Sequence, residues 1–197
     1  MTPTRTPTIP PPTLTTTAPH GGVQKVVTTT FAGGNGQAGN MIEILALKDI
    51  VVNAFDIHTY STSRVHAYVY SMKGSYVGFE TNPSTWTNIV DTWVVGRGSP
   101  KPTPIPMDRV KPVSIRAGET FSFYITLTEP SIKYTNGVVT TGDDSLKFVR
   151  SNGNKYPFGV NYAARIWNGN LRYAPADGTA RHLSANDESE NQVVIEE

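Results

Sequence analysis

The chain contains no cysteine. That absence excludes disulfide frameworks, cysteine-based zinc sites and thiol nucleophiles. Charge is scarce as well: Asp, Glu, Lys and Arg make up 17% of the 197 residues, below the usual quarter. The formal net charge is +1, so total charge gives no argument for nucleic-acid binding. No apolar run approaches the length of a membrane span, and no apolar leader follows Met1. A helical period is missing too. What fills the chain instead is Thr, Ser, Asn and Gly, which suit half-exposed strands and turns.

Residues 2–19 hold eight Thr and six Pro. Such a segment cannot bury a core, and its prolines favour extended conformations. The expectation is a disordered linker over 1–21, of the composition found in O-glycosylated stalks. The expectation is a secreted or surface-attached protein, present as a fragment or as a mature form whose leader has been removed. The last stretch, 175–197, is rich in acids and reads as a flexible acidic tail.

Between them, 22–174 reads as one domain with strands over 23–31, 41–47, 50–59, 64–70, 87–96, 110–115, 120–127, 131–134, 146–150 and 165–173. Phe121, Phe123, Ile125 and Leu127 alternate with Ser122, Tyr124 and Thr126, which predicts a core strand with one solvated face. Val65, Ala67 and Val69 oppose His66, Tyr68 and Tyr70 in the same way. Residues 72–86 read as a long exposed connection or a short hairpin, and the four prolines of 96–108 make the later segment a loop. About ten short strands separated by turn signals predict an all-β fold, an antiparallel β-sandwich of jelly-roll-like form.

The glycine-rich stretch Gly33–Asn40 has some of the spacing of a dinucleotide fingerprint, but a strand follows it where that fingerprint needs a helix. Its glycines then supply turns, and Asn35, Asn40 and backbone carbonyls are hard oxygen donors suited to calcium. Asp56 and His58 share one face of a strand and form the candidate metal pair. Glu43 and Asp56 are considered as a glycosidase pair, but counting outward from the Lys48-Asp49 turn does not set them opposite each other. No serine sits in a G-x-S-x-G context, and no Ser–His–Asp set is readable. The aromatic loops are the stronger lead: Tyr76, Phe79 and Trp86 in one, Tyr156 in another, and Trp167 on the last strand. Aromatic faces stack on the C–H faces of sugars while polar neighbours fix hydroxyls.

Seven pieces carry a resemblance: GGNGQAGNM (33–41), FDIHT (55–59), VYSMKGSYVGFETNPSTW (69–86), GRGSPKPTP (96–104), AGETFSFYITL (117–127), IKYTNG (132–137), and YPFG with RIWNGNLRY (156–173). Together they resemble a module of large secreted and cell-surface proteins of diatoms and some marine bacteria. The resemblance spans nearly all of 22–174. It implies an extracellular or wall-associated β-sandwich used in adhesion, and it carries no catalytic motif. The functional expectation is a non-catalytic surface module that recognises a glycan or another cell-surface or matrix component through Tyr76, Phe79, Trp86, Tyr156 and Trp167. The alternatives are a self-assembling adhesive unit and a carbohydrate-active hydrolase.

Overall fold

The computed structural model describes residues 23–176. The linker expected over 1–21 and nearly all of the expected tail lie outside the described residues. Within them run fourteen strands: β1 (Lys25–Thr28), β2 (Asn35–Gln37), β3 (Gly39–Ala46), β4 (Ile50–His58), β5 (Arg64–Lys73), β6 (Thr87–Val95), β7 (Pro102–Pro104), β8 (Val113–Ile115), β9 (Thr120–Leu127), β10 (Ile132–Asn136), β11 (Leu146–Asn154), β12 (Asn161–Tyr162), β13 (Arg165–Trp167) and β14 (Gly169–Pro175). Single 3-10 turns occur at Pro83–Thr85 and Met107–Arg109.

All pairings are antiparallel. A six-stranded sheet has the order β12-β11-β3-β9-β5-β6, and a five-stranded sheet the order β1-β14-β4-β7, with β8 also on β4. A small third sheet, β13-β10-β2, closes one part of the molecule. The two large sheets share one core. Ile42, Ile44, Val65, Val69, Phe123 and Ile125 from one meet Ile50, Val52, Phe55, Ile57 and Leu171 from the other. The Phe55 and Phe123 rings meet edge to face between them, 5.4 Å apart. The fold is an all-β antiparallel sandwich whose chain passes repeatedly from sheet to sheet.

Four local expectations change. The Lys48-Asp49 turn does not close a hairpin: it carries the chain from β3 in one sheet to β4 in the other. Glu43 and Asp56 consequently belong to opposite sheets. Neither joins the buried apolar core between the sheets, which removes them as a catalytic pair. The glycine-rich stretch is not a free loop, because Asn35–Gln37 pairs with β10 and Gly39 already begins β3. The expected strand 165–173 is two strands in different sheets, broken at Asn168. The proline-rich segment contributes β7, whose register puts Thr103 against Ile57 of β4, the edge position that proline tolerates.

The outer face of β9 is the fifth departure. Ser122, Tyr124 and Thr126 are buried rather than solvated. β9 lies between β3 and β5, and loop residues pack over it. A period of two reports which residues share a face, but not whether a distant loop covers that face.

An irregularity in β4 sets which of its side chains reach the core. Its register against β14 shifts between Arg172 and Tyr173, leaving Asn53 as an extra residue. Such a bulge inverts the facing of the chain beyond it. Ile50, Val52, Phe55 and Ile57 thereby all reach the shared core, and Ala54, Asp56 and His58 take the opposite face.

Candidate functional site

The outer face of the six-stranded sheet carries the aromatic residues in two groups of different character. The first is a satellite core. Met41 of β3, Tyr124 of β9, and Tyr76 and Trp86 from the segment joining β5 and β6 are buried together, with Tyr70, Met72 and Phe158 packed on them. Trp86 Nε1 donates to the Phe79 carbonyl at 3.1 Å, so its polar edge is satisfied inside the loop. Phe158 lies 4.8 Å from Tyr124 and 4.9 Å from Tyr70. Burial raises the Tyr124 hydroxyl to about 12 and pushes that of Tyr76 higher still.

Three of the sequence-predicted contact residues are therefore interior. Tyr76 and Trp167 are fully buried and Trp86 nearly so, and none can receive a ligand from solvent. Tyr76 and Trp86 turn inward because an aromatic-rich loop gains more by sealing the sheet face than by presenting rings to water. Trp167 fills the core near Phe148, with ring centroids 6.2 Å apart. Phe79 stays exposed at the loop tip. Tyr156 is half-buried and belongs to the second group.

That second group is a row of near-parallel rings on β5 and β6. Trp93 is 51% exposed. It stacks on His66 across the strand pair, centroids 4.6 Å apart and planes 18° apart. His66 meets Tyr68 at 4.5 Å, Tyr68 meets Tyr70 at 6.1 Å, and Tyr156 joins Tyr68 at 5.9 Å with a plane angle of 16°. The Arg64 guanidinium sits 4.9 Å from the Trp93 ring centre. His66 Nε2 contacts Asp91 Oδ1 at 2.6 Å, which braces the row from the side. Burial foremost raises the hydroxyls of Tyr68 and Tyr70, so both remain protonated donors.

Beside this row lies a groove of about 550 Å³ lined by Arg64, His66, Asp91, Trp93, Asp108 and Arg109. β6 is the last strand of its sheet, and the segment after β7 runs along its free side, tied by the Lys111 N–H to the Ile89 carbonyl at 2.9 Å. The groove is the space between them. It offers the solvent-facing part of an indole that already stacks on His66 and lies under the Arg64 guanidinium, with two guanidinium groups, two carboxylates and an imidazole. The size falls within the range of small-ligand sites.

The alternation of β5 already put His66, Tyr68 and Tyr70 on one face. Trp93 was missed as their partner because strand register is not written in either strand alone. The signal available was Trp93 itself, the one aromatic in a strand of aliphatic and polar residues.

The expected metal pair has other partners. The Asp56 carboxylate accepts from Asn170 Nδ2 at 2.7 Å and Arg172 Nη2 at 2.6 Å, an ion pair with the acid buried. His58 is buried, with Ser99 Oγ 2.8 Å from Nε2 and the Asn168 amide 3.3 Å from Nδ1. Among the described residues no three His, Asp or Glu side chains gather as a metal site. In the glycine-rich stretch, Asn35 Oδ1 accepts from Gly36 N–H and Asn40 Nδ2 donates to the Asn152 carbonyl. Asn40 Oδ1 is buried without a hydrogen-bond partner, and among the described residues no group of three acidic or histidine side chains gathers to complete a calcium site.

The fold and groove define an antiparallel β-sandwich with an aromatic, mixed-charge surface site. The chain matches no family model and no curated protein.

Proposed function

We propose that this domain is an extracellular or cell-surface recognition module whose ligand is a glycan bound in the groove beside Trp93. The observation that carries the reading is the juxtaposition of a half-exposed indole with Arg64, Asp91, Asp108 and Arg109 around one groove. A sugar ring presents an apolar C–H face and a rim of hydroxyls. The indole suits the first. Carboxylates that accept and guanidinium groups that donate suit the second.

The row behind Trp93 serves rigidity. Trp93, His66, Tyr68 and Tyr156 pack ring on ring with planes 16° to 30° apart, so little side-chain entropy remains to be lost on binding. This site replaces the buried Tyr76, Trp86 and Trp167, and it keeps Tyr156 as support rather than as the contact itself.

A glycan array probed with the full chain, with and without calcium, tests the reading. Binding of a defined class of glycan, lost in Trp93→Ala and weakened in Asp91→Ala, is the expected result. An array with no binding above background, or binding indifferent to Trp93, sinks it.

A further inference from the structure

His58 is fully buried, yet both ring nitrogens are engaged. Nε2 lies 2.8 Å from Ser99 Oγ, and Ser99 is exposed. Nδ1 lies 3.3 Å from the side-chain amide of Asn168. The other end of that amide is 3.0 Å from Thr135 Oγ1, which is itself 3.3 Å from the Gly33 carbonyl. Gly33 permits the close approach: a Cβ there would meet His58 Cε1 at 3.2 Å, and its φ is +69°.

The direction of this chain depends on how the Asn168 amide sits: as placed, its Nδ2 faces His58 Nδ1 and its Oδ1 accepts from Thr135 Oγ1. With Asn168 Nδ2 toward His58 and Oδ1 toward Thr135, the single Thr135 hydroxyl proton faces two acceptors, the amide oxygen and the Gly33 carbonyl. The two ends of an amide are alike in shape, and the network decides which way it sits. Turned over, every link has one donor and one acceptor. Thr135 donates to Gly33 O, Asn168 Nδ2 donates to Thr135, and His58 Nδ1–H donates to Asn168 Oδ1. Nε2 is then left with its lone pair toward the Ser99 hydroxyl. Burial, and then the charge of Lys133, hold His58 below its ordinary value, so it is neutral at neutral pH. Phe31, Gly33, Ser99 and Asn168 lie against its ring, and Lys133 on β10 is the charged group that reaches it.

A hydroxyl, a neutral imidazole and a group that fixes the imidazole tautomer are the parts of an acyl-transfer site. We propose that Ser99 is a nucleophile activated by His58, positioned by Asn168 and Thr135, and that the site takes small acyl esters. Ser99 Oγ bonds to the ester carbonyl carbon while its proton passes to His58 Nε2. The bond from that carbon to the alcohol oxygen breaks, and the imidazolium returns the proton to the departing oxygen. Water then attacks the seryl ester, giving its proton to His58, and the carboxylic acid leaves as Ser99 recovers its proton. Tyr60 is 54% exposed, carries Lys133 Nζ 5.3 Å from its ring centre, and has its carbonyl 4.0 Å from the Cβ direction of Gly98.

The test treats the full chain with a fluorophosphonate probe and, separately, with p-nitrophenyl acetate. Peptide mass spectrometry should find the phosphonyl group on Ser99, and Ser99→Ala, a change at an exposed position, should abolish it. The rate should rise with pH through an apparent pKa below 6.5, the ordinary histidine value. Thr135→Val should slow both reactions by roughly tenfold or more, with Thr135→Ser restoring them. Because Thr135 touches no substrate, a flattened or upward-shifted pH profile in Thr135→Val separates its positioning role from loss of folding. Equal labelling of wild type and Ser99→Ala, a rate flat across the histidine range, or full rates in Thr135→Val each overturns the proposal.

Discussion

Trp93 and His66 face each other across the last strand pair of the six-stranded sheet, ring centroids 4.6 Å apart. One is half exposed and the other is pinned by Asp91. The pair is a surface feature built with the fixity of a core contact.

Trp93→Ala removes the aromatic surface of the groove. Because the indole is half in water, its loss should cost little stability, within about 1 kcal/mol, while glycan binding falls at least about tenfold. Chemical denaturation and a binding titration on the same preparation separate the two effects. A large stability loss with unchanged binding would show that Trp93 is structural.

Trp86→Ala should do the reverse. Trp86 packs with Tyr124 and Phe158 under the loop, and truncating such a residue costs about 3–5 kcal/mol. The expected readout is a lower denaturation midpoint and earlier proteolysis between residues 74 and 86. Stability equal to wild type would return Trp86 to the list of surface residues.

Breaking the Asp56–Arg172 pair exposes the cost of a lone buried charge. Arg172→Met leaves the Asp56 carboxylate with Asn170 as its remaining side-chain partner. A loss of about 3 kcal/mol is expected, since one partner is buried and the other only partly so. The double variant Asp56→Leu with Arg172→Met should recover much of it. With Asp56 held in this way, calcium or a chelator should leave the melting temperature unchanged, and a clear upward shift with calcium would revive the metal reading.

The pH dependence of stability has a defined sign at His58. Its folded-state value is depressed below 6.5, so the unfolded chain takes up a proton first as pH falls. Stability from this group is complete above 6.5 and declines as pH drops toward the folded value. Glu119 and Asp144, also depressed by their lysine partners, act only below their ordinary values of 4.5 and 3.8. Urea midpoints measured from pH 7.5 downward should fall in the upper window for wild type and stay flatter in His58→Gln. An unchanged slope in that variant would assign the effect elsewhere.

Gly169 should tolerate no side chain. A Cβ there would come 2.3 Å from Trp167 Cζ2 and 2.5 Å from the Asp56 carbonyl. Overpacking a closed site costs about 1–3 kcal/mol or more, so Gly169→Ala should lower the melting temperature by several degrees. Wild-type stability would mean that Trp167 can move aside.

The strand pattern was legible because apolar alternation is local. Phe121, Phe123, Ile125 and Leu127 point where their spacing says. The burial of Tyr124 was not legible, since it depends on Tyr76, Trp86 and Phe158 arriving from two separate loops. The same limit hid both candidate sites. Trp93 meets His66, and Ser99 meets His58, only after residues far apart in the chain are set in register. Asp56 and His58 were correctly placed on one face, but their partners Arg172, Asn170 and Asn168 come from the far end of the sequence. A short turn at Lys48-Asp49 resembles a hairpin until the sheets on either side of it are known.

The pairing of β3 with β11 and of β1 with β14 joins residues such as Gly39 to Asn154 and Lys25 to Tyr173. Neither sheet is complete until the C-terminal third of the domain is present. A ribosome therefore releases most of this chain before its central strands can find their neighbours, and folding belongs to the slow, non-local class, on the order of milliseconds to seconds. Fragments ending before Gly169 should remain protease-sensitive and unable to fold however long they wait. The N-terminal strands are made early and must be kept from other partners until the last strand arrives.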